Sequence, residues 1–270
     1  MVHCNLHAHT TYCDGANSPR EMVMAAAARG FYALGLSGHA YTPFDTSFCM
    51  TPEGTRDYFA ELRRLKTEFT GVVEVYAGIE QDLFSPPPEL PFDYVIGAVH
   101  YLHVGKAYLP VDESAEDCRA QVEQYFGGDW YAWAEAYYAQ TARVAQETRC
   151  DIVAHFDLIT KYNECNLLFN ENEPRYRRAA LAALDPLLES GCLFEVNTGA
   201  MARGLRSTPY PAPFLLRTIA QAGRGIVLSS DCHDMFSLDY GFGEAARYAR
   251  ACGFETAKVL TPMGFADVEL

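Results

Sequence analysis

The chain has 270 residues, of which 49% are hydrophobic, and its formal net charge is −14. The length predicts one domain spanning residues 1–270, a size that α/β barrels commonly reach. The acidic balance argues against nucleic acid as a partner, because nucleic-acid binders usually carry a basic face. No apolar run approaches the ~18 residues that a membrane-spanning helix needs, so no membrane association is expected.

The cysteines favour a reducing compartment. There are nine, an odd number, and no pair has the C-x-x-C spacing. The start of the chain shows no basic segment followed by an apolar run, so we expect no secretory signal. We therefore expect reduced, mostly buried thiols in a cytoplasmic protein. The sequence does not indicate an oligomeric state.

Short apolar runs alternate with longer helical patterns along the chain. Strands are predicted at 2–7, 32–38, 72–78, 93–99, 151–155, 192–198 and 225–230, with a final short strand at 257–262. Helices are predicted at 18–30, at 51–69 and across 114–148 with a break at Gly127–Gly128. Alternation of this kind predicts parallel strands with right-handed crossovers. Seven or eight such units favour a closed α/β barrel over an open sheet.

Two helix details can be predicted from local signals. Ser18 is the expected N-cap of the first helix, with Pro19 at its first position and Glu21 completing a capping box. In the long helical region, Trp130, Trp133, Tyr137 and Thr141 share one side. A stripe of this kind is typical of core packing.

Potential metal ligands stand at or just after the ends of six predicted strands. They are His7 and His9, His39, Glu80, His100, His155, and Asp231 with His233; Asp14 follows the first pair. The carboxyl ends of barrel strands meet on one face, where α/β barrels build their active sites. We therefore expect these nine residues to converge.

Imidazole and carboxylate are ligands for Zn, Mn or Fe, and nine groups are too many for one ion. A bridging carboxylate such as Glu80 can hold two ions ~3.5–4 Å apart, as in two-metal hydrolytic sites. His3 does not share the strand-end position and is interpreted as structural. His103 follows His100 closely and is a candidate for facing a substrate. Cys232 lies between two proposed ligands and is interpreted as packing.

The motifs resemble a known family. "HAHT" followed by Asp14, "SGHA", "GIE", "AVHY", "AHFD" and "SSDCH" resemble, in order, the metal-binding motifs of the PHP (polymerase and histidinol phosphatase) superfamily. "GAVHYL" with "PVD", "HFDLITKYN" and "EVNTGAMARG" further resemble its histidinol-phosphate phosphatase branch. The resemblance implies a distorted seven-stranded (β/α) TIM-like barrel with its metal site at the C-terminal ends of the strands.

The resemblance also implies up to three metal ions, each with its own ligands. The first ligand set is His7, His9, Glu80 and Asp231; the second is Glu80, His100 and His155; the third is Asp14, His39 and His233. Asp14 departs from the family pattern, because many members have histidine there. We expect two to three divalent ions of Zn, Mn or Fe.

A phosphate ester needs cations besides the metals, and arginine offers a planar fork for phosphate. Arg203 and Arg206 follow the sixth strand and Lys161 follows the fifth, so these three, with His103, are the predicted substrate-binding residues.

Glu80, Asp231 and His233 are the predicted catalytic residues. We expect hydroxide held by the metals to attack phosphorus in line, since metal binding lowers the pKa of water from ~15.7 towards ~7. Asp231 and His103 are the candidate acids for the leaving group, and Asp112 and Tyr101 are candidate pocket residues.

Three functions remain open at this point. The first is hydrolysis of histidinol phosphate in histidine biosynthesis. The second is hydrolysis of another small phosphate ester, such as a nucleotide or sugar phosphate. The third is a nucleic-acid-processing or non-enzymatic module, which the acidic charge disfavours.

Overall fold

A computed structural model describes residues 3–270 and contains eleven strands within that range. They are β1 (Cys4–Asn5), β2 (Ala33–Leu36), β3 (Glu74–Asp82), β4 (Tyr94–Ala98), β5 (Tyr101–Val104), β6 (Ala107–Pro110), β7 (Ile152–Val153), β8 (Leu193–Asn197), β9 (Ile226–Ser229), β10 (Thr256–Thr261) and β11 (Gly264–Glu269). Seven of them form one sheet in the order β1-β2-β3-β4-β7-β8-β9, and all its pairings are parallel. These strands correspond to the seven predicted ones.

The two edges of this sheet approach each other and nearly close a barrel. Just beyond β1 and β9, Ala8 and Cys232 form a parallel bridge. The His9 N–H donates to the Cys232 carbonyl across the same gap at 2.8 Å. Sheet order follows chain order, as in a (β/α) barrel whose crossovers join neighbouring strands. The barrel prediction is confirmed.

Nine α-helices lie around the sheet in the described part of the chain. They are α1 (Pro19–Ala28), α2 (Pro52–Glu68), α3 (Ala115–Phe126), α4 (Trp130–Thr141), α5 (Val144–Thr148), α6 (Pro174–Ser190), α7 (Gly199–Ala202), α8 (Pro213–Gln221) and α9 (Phe242–Ala251). Ser18 caps α1 in a complete capping box with Glu21, as predicted. Among these helices, none is both long enough and apolar enough to cross a bilayer.

The predicted helical region at 114–148 is three helices. The first ends at Gly127, which has a φ of 59°, a left-handed conformation that glycine adopts without a side-chain clash. Trp133, Tyr137 and Thr141 on α4 are buried, and Trp130 is half-buried. The aromatic stripe therefore packs into the core, as expected.

Tyr94 fills part of the barrel interior. Its side chain is 1% exposed, and its hydroxyl donates to the carbonyl of Leu6, just after the edge strand β1. A Cβ atom on Gly78 would lie 2.1 Å from the Tyr94 ring, and one on Gly35 would lie 2.2 Å from its hydroxyl. The two glycines therefore leave the space that this ring occupies.

Two antiparallel hairpins lie outside the barrel sheet. The β5–β6 hairpin follows β4 directly and was not predicted. The predicted eighth strand exists as β10, but it pairs with β11 and not with the barrel. Val259 and Leu260 of β10 are buried in one cluster with Cys4 and Leu6, so the hairpin packs against the start of the barrel sheet.

Candidate metal centre

Glu80, near the end of β3, lies at the centre of the converged histidines and is 1% exposed. Its Oε2 atom lies 3.2 Å from His7 Nε2 and 3.5 Å from His9 Nε2. The Asp231 Oδ1 atom lies 3.6 Å from His7 Nε2 and 3.2 Å from His9 Nε2. The first predicted set is therefore a compact group of four ligand atoms.

The other oxygen of Glu80 faces the second predicted set. Its Oε1 atom lies 3.2 Å from His100 Nε2 and 3.1 Å from His155 Nε2. Both histidines are buried and directly follow strands β4 and β7. One carboxylate thus presents one oxygen to each of two neighbouring sets, which is the arrangement that a bridging ligand needs.

The third predicted set is more open to solvent. Asp14 Oδ2 lies 3.1 Å from His233 Nε2 and 3.6 Å from His39 Nε2, and the Asp14 side chain is 31% exposed. His39 also reaches inward, with its Nδ1 atom 2.9 Å from Glu80 Oε2. The set therefore lies at the mouth of the centre and contacts its interior through His39.

When candidate ligands are grouped by the distances between their ligand atoms, the groups share more residues with one another than the predicted sets do. Ligand atoms within 4.8 Å of one another form the groups His9–Asp14–His39–His233, His7–Glu80–His155, His7–His9–Asp231 and His39–Glu80–His100. His9 joins the third set because its Nδ1 atom lies 3.6 Å from Asp14 Oδ1. All nine predicted ligands occur in these groups.

Buried polar atoms that have no hydrogen-bond partner indicate whether metal ions fit in this centre. His7 Nε2, His9 Nε2 and Glu80 Oε2 are buried and have no hydrogen-bond partner, although buried polar atoms are normally satisfied. Tetrahedral zinc with bonds of ~2.0–2.1 Å separates neighbouring ligand atoms by about 3.3 Å. The spacings of 3.2–3.6 Å in the first set match that value. The donor atoms therefore suit a divalent transition metal.

The electrostatics of the centre act differently on its carboxylate and on its histidines. Burial raises the pKa of Glu80, but His7, His39 and His100 outweigh it and hold this pKa well below its usual range. Burial, with the neighbouring His233 and His39, lowers the pKa of His9 to about 3. Glu80 is therefore ionised and His9 neutral at pH 7, the forms in which they bind metal. Burial lowers the pKa of His7, His39 and His100, but the carboxylates around them outweigh it and raise the pKa of each ring, so metal binding at these three rings would release protons.

Asp231 has a strained backbone, with a φ of 48°. A non-glycine residue in the left-handed region costs on the order of 1 kcal/mol or more, and such residues cluster at functional sites. The conformation accompanies a side chain whose Oδ1 faces two histidines and whose Oδ2 accepts from Arg203 at 3.0 Å.

Two buried carboxylates contact predicted ligands but were missed in the sequence. Asp82 Oδ2 lies 3.3 Å from His100 Nδ1, and Glu195 Oε1 lies 2.5 Å from His7 Nδ1. The available signal was an acidic residue inside an apolar strand, as in "CLFEVNT" for Glu195. That signal marks a buried carboxylate without revealing its partner.

A cavity of about 490 Å³ opens above the centre. Arg203 and Lys161 line it, as predicted for cations that face a substrate. Lys161 Nζ pairs with Asp112 Oδ2 at 2.9 Å. Asp45, Phe48 and Tyr101 also line the cavity, with the Tyr101 hydroxyl donating to Asp45 Oδ2 at 2.8 Å. The cavity thus combines cations near the predicted ligands with an acidic and aromatic wall.

Two predicted substrate residues lie elsewhere. Arg206 Nη1 donates to Glu171 Oε1 at 3.1 Å and to the Thr160 carbonyl at 2.9 Å, outside the cavity lining. These two acceptors hold its guanidinium away from the lining residues. His103 is exposed on the β5–β6 hairpin and stacks on Tyr108 at 4.5 Å between centroids. Neither of these two residues lines the cavity, in contrast to Arg203 and Lys161.

The two residues interpreted as structural fit that role. His3 packs edge-on against Phe31, with ring centroids 5.5 Å apart. Cys232 is 2% exposed and packs in the cluster with Ala8 and Leu238.

Comparison with known proteins places the chain in a family. The PHP domain family model matches residues 5–199. The "Probable histidinol-phosphatase" of Deinococcus radiodurans is 31% identical over 265 residues, which covers 94% of this chain and 95% of that protein. The histidinol-phosphatase of Bacillus subtilis is 23% identical, covering 87% of this chain and 95% of its own.

A solved structure supports the fold. The histidinol phosphate phosphatase of Lactococcus lactis is 20% identical and superposes with a TM-score of 0.74 over 98% of each chain. The ordered motifs, the nearly closed barrel and the converged ligands agree with the family model. The chain belongs to the PHP domain family.

Proposed function

We propose that this protein hydrolyses histidinol phosphate to histidinol and phosphate as a metal-dependent phosphoric monoester hydrolase. The observation that carries the proposal is the cavity, which is lined by Arg203, by six of the nine predicted ligands and by an acidic and aromatic wall. Relatives that match nearly the whole chain are named histidinol-phosphatases. The Lactococcus lactis structure was solved with zinc, L-histidinol and phosphate.

Divalent ions held by the nine predicted ligands would activate water at neutral pH and polarise the phosphoryl group. His7, His9, Glu80 and Asp231 would hold the first ion, Glu80, His100 and His155 the second, and Asp14, His39 and His233 the third. Zinc has the best support, because it is the metal in the Lactococcus lactis structure. Manganese and iron remain proposals that rest on the ligand chemistry.

Arg203 would bind the phosphoryl group. Its Nη2 atom is held by Asp231 Oδ2 at 3.0 Å, while 35% of the side chain stays exposed to the cavity. The remaining N–H donors can therefore reach non-bridging phosphate oxygens beside the metal ligands. Lys161 would add a second positive charge nearby, with Asp112 fixing its ammonium group.

The acidic and aromatic wall would recognise the rest of the substrate. Histidinol carries an ammonium group and an imidazole ring. Asp45 and Asp112 offer carboxylates for the ammonium, and Phe48 and Tyr101 offer ring faces for the imidazole. An ester without these groups would lose these contacts, and a site built to pair polar groups of its substrate can discriminate by ~10⁴-fold.

The leaving oxygen needs a proton, and the positions of the two candidate acids, His103 and Asp231, narrow the choice of donor. His103 lies outside the cavity, so Asp231 is the remaining candidate of the two. Burial raises the pKa of Asp231, but His7 and Arg203 outweigh it and hold this pKa well below its usual range. Asp231 would therefore rest as a carboxylate and donate only a proton that it first accepts from water.

The deciding experiment is a kinetic comparison across phosphomonoesters at fixed metal and pH. We expect a higher kcat/KM for histidinol phosphate than for nucleoside monophosphates, sugar phosphates or p-nitrophenyl phosphate. A flat profile would remove the histidinol assignment and leave a PHP phosphoesterase of another small phosphate. The same proposal includes a single domain spanning residues 1–270. It also places the protein in cytoplasmic histidine biosynthesis, without nucleic-acid or membrane partners.

A further inference from the structure

Glu195 is an acidic residue in the middle of an apolar strand. It lies in β8 between Phe194 and Val196, two core residues, and is 1% exposed. Burying a carboxylate is costly unless hydrogen bonds compensate for its lost hydration. The position of Glu195 therefore depends on the donors around it.

Four donors surround this carboxylate, two at each oxygen. Oε1 accepts from the Ser229 hydroxyl and from His7 Nδ1, the latter at 2.5 Å. Oε2 accepts from the His155 backbone N–H at 2.7 Å and from Asn197 Nδ2 at 2.8 Å. Because an ionised carboxylate only accepts, each of these groups presents a proton to Glu195.

The contact with His7 determines where that ring carries its proton. With the proton on Nδ1, the neutral ring has its lone pair on Nε2. The Nε2 atom lies 3.2 Å from Glu80 Oε2, in the first predicted set. A partner of this kind fixes the tautomer and ring orientation of a metal-binding histidine.

The contact with His155 acts on the second predicted set. Glu195 holds the backbone N–H of His155, while the ring Nε2 of that residue lies 3.1 Å from Glu80 Oε1. One carboxylate therefore positions one member of each of two neighbouring sets. Glu195 itself does not line the cavity and cannot contact a substrate there.

We infer that Glu195 is a positioning residue that orients His7 and His155 and so sets the metal affinity of the first and second sets together. The inference rests on the proposed function only in requiring that these sets bind metal. It does not depend on which phosphate ester is hydrolysed.

The test is zinc binding by Glu195→Gln in the full chain, measured by elemental analysis and competition with a chromogenic chelator. Glutamine keeps the shape but replaces one acceptor oxygen with an NH₂ donor. That donor opposes either His7 Nδ1–H or the His155 N–H. We expect a folded protein whose zinc dissociation constants for two sites rise about 10- to 100-fold, the usual effect of losing such a partner.

Two matched variants separate this role from general destabilisation. Asp82 contacts only His100 among the predicted ligands, so Asp82→Asn should weaken one site. Asp157 is also 1% exposed, but its side chain accepts from the Ala212 N–H and contacts none of the ligands. Asp157→Asn should therefore leave zinc stoichiometry and affinity unchanged.

Wild-type zinc affinity in folded Glu195→Gln, with only a lower melting temperature, would overturn the inference. Should that variant fail to fold, Glu195→Asp keeps the charge on a shorter side chain. It should bind zinc more weakly and regain turnover at saturating zinc, and wild-type affinity in it would likewise overturn the inference. Zinc is measured without substrate, so failure of histidinol phosphate as a substrate would be recognised separately.

Discussion

Arg203 donates from Nη2 to Asp231 Oδ2 at 3.0 Å, joining the segment after β8 to the segment after β9. Asp231 Oδ1 meanwhile faces His7 and His9. The proposed phosphate-binding cation is thus fixed to a proposed metal ligand. This contact sets the position of the guanidinium relative to the metal centre.

Replacing Arg203 should impair substrate binding and turnover while leaving the metal in place. Arg203→Ala removes a cation that faces the cavity, and Arg203→Lys keeps the charge but loses the planar fork. We expect kcat/KM to fall about 10²-fold or more for alanine, since hydrogen bonds to charged groups contribute ~1.5–3 kcal/mol, and less for lysine. Arg247→Ala, on the exposed face of α9, is the control. Wild-type kinetics in Arg203→Ala would move the phosphate role to Lys161.

Replacing Glu80 should remove both metal and activity. Each oxygen of Glu80 faces a different ligand set, so Glu80→Gln leaves a neutral amide with one acceptor oxygen for two ions. We expect at least one metal equivalent to be lost and phosphatase activity to fall to background. Elemental analysis and steady-state kinetics measure the two effects, with Glu61→Gln on α2 as the control. Full metal content in Glu80→Gln would contradict the bridging role.

Arg206 should matter for stability and little for catalysis. Its side chain is 10% exposed and pairs with Glu171 away from the cavity. Arg206→Ala leaves that carboxylate with one fewer partner, so we expect a loss on the order of 1–3 kcal/mol in the free energy of unfolding. Denaturant titration measures the loss, and KM should stay near the wild-type value. A raised KM with unchanged stability would restore Arg206 as a phosphate ligand.

Removing metal should abolish activity and lower the melting temperature. An ion present at 100 times its dissociation constant stabilises the folded state by about 2.7 kcal/mol. For a protein near this size, that corresponds to roughly 5–10 °C per ion. Scanning fluorimetry before and after chelation measures the shift, and separate addition of zinc, manganese or iron ranks the metals. Full activity and an unchanged melting temperature in chelator would refute a metal-dependent mechanism.

Gly78→Ala should destabilise the barrel interior. The new Cβ would lie 2.1 Å from the ring of Tyr94, which is 1% exposed, so the ring or the backbone would have to shift. We expect a loss of roughly 3 kcal/mol or more, at or above the upper range for overpacking. Gly71→Ala is the control, because Gly71 has a φ of +78° but no neighbouring atom within 4 Å. That change should cost only about 1 kcal/mol through its backbone conformation.

Much of the fold follows from local signals. The capping box of Ser18 and Glu21 involves residues three apart, and the apolar runs of the strands can be recognised from a few neighbouring residues. The repeated placement of His7, His39, His100 and His155 at strand ends then predicts convergence, because parallel barrel strands all end on one face. These features were predictable since each depends on neighbours in sequence or on a general rule of barrel geometry.

The tertiary structure alone determined which way individual side chains point. Arg203 and Arg206 are three residues apart, yet one meets Asp231 in the cavity and the other meets Glu171 behind it. Glu195 meets His7 across 188 positions of sequence. Side-chain direction depends on partners that the fold supplies from distant segments, and no local periodicity encodes them. The sequence by itself therefore determined the barrel and which candidate ligands converge, and the packed structure determined their contacts.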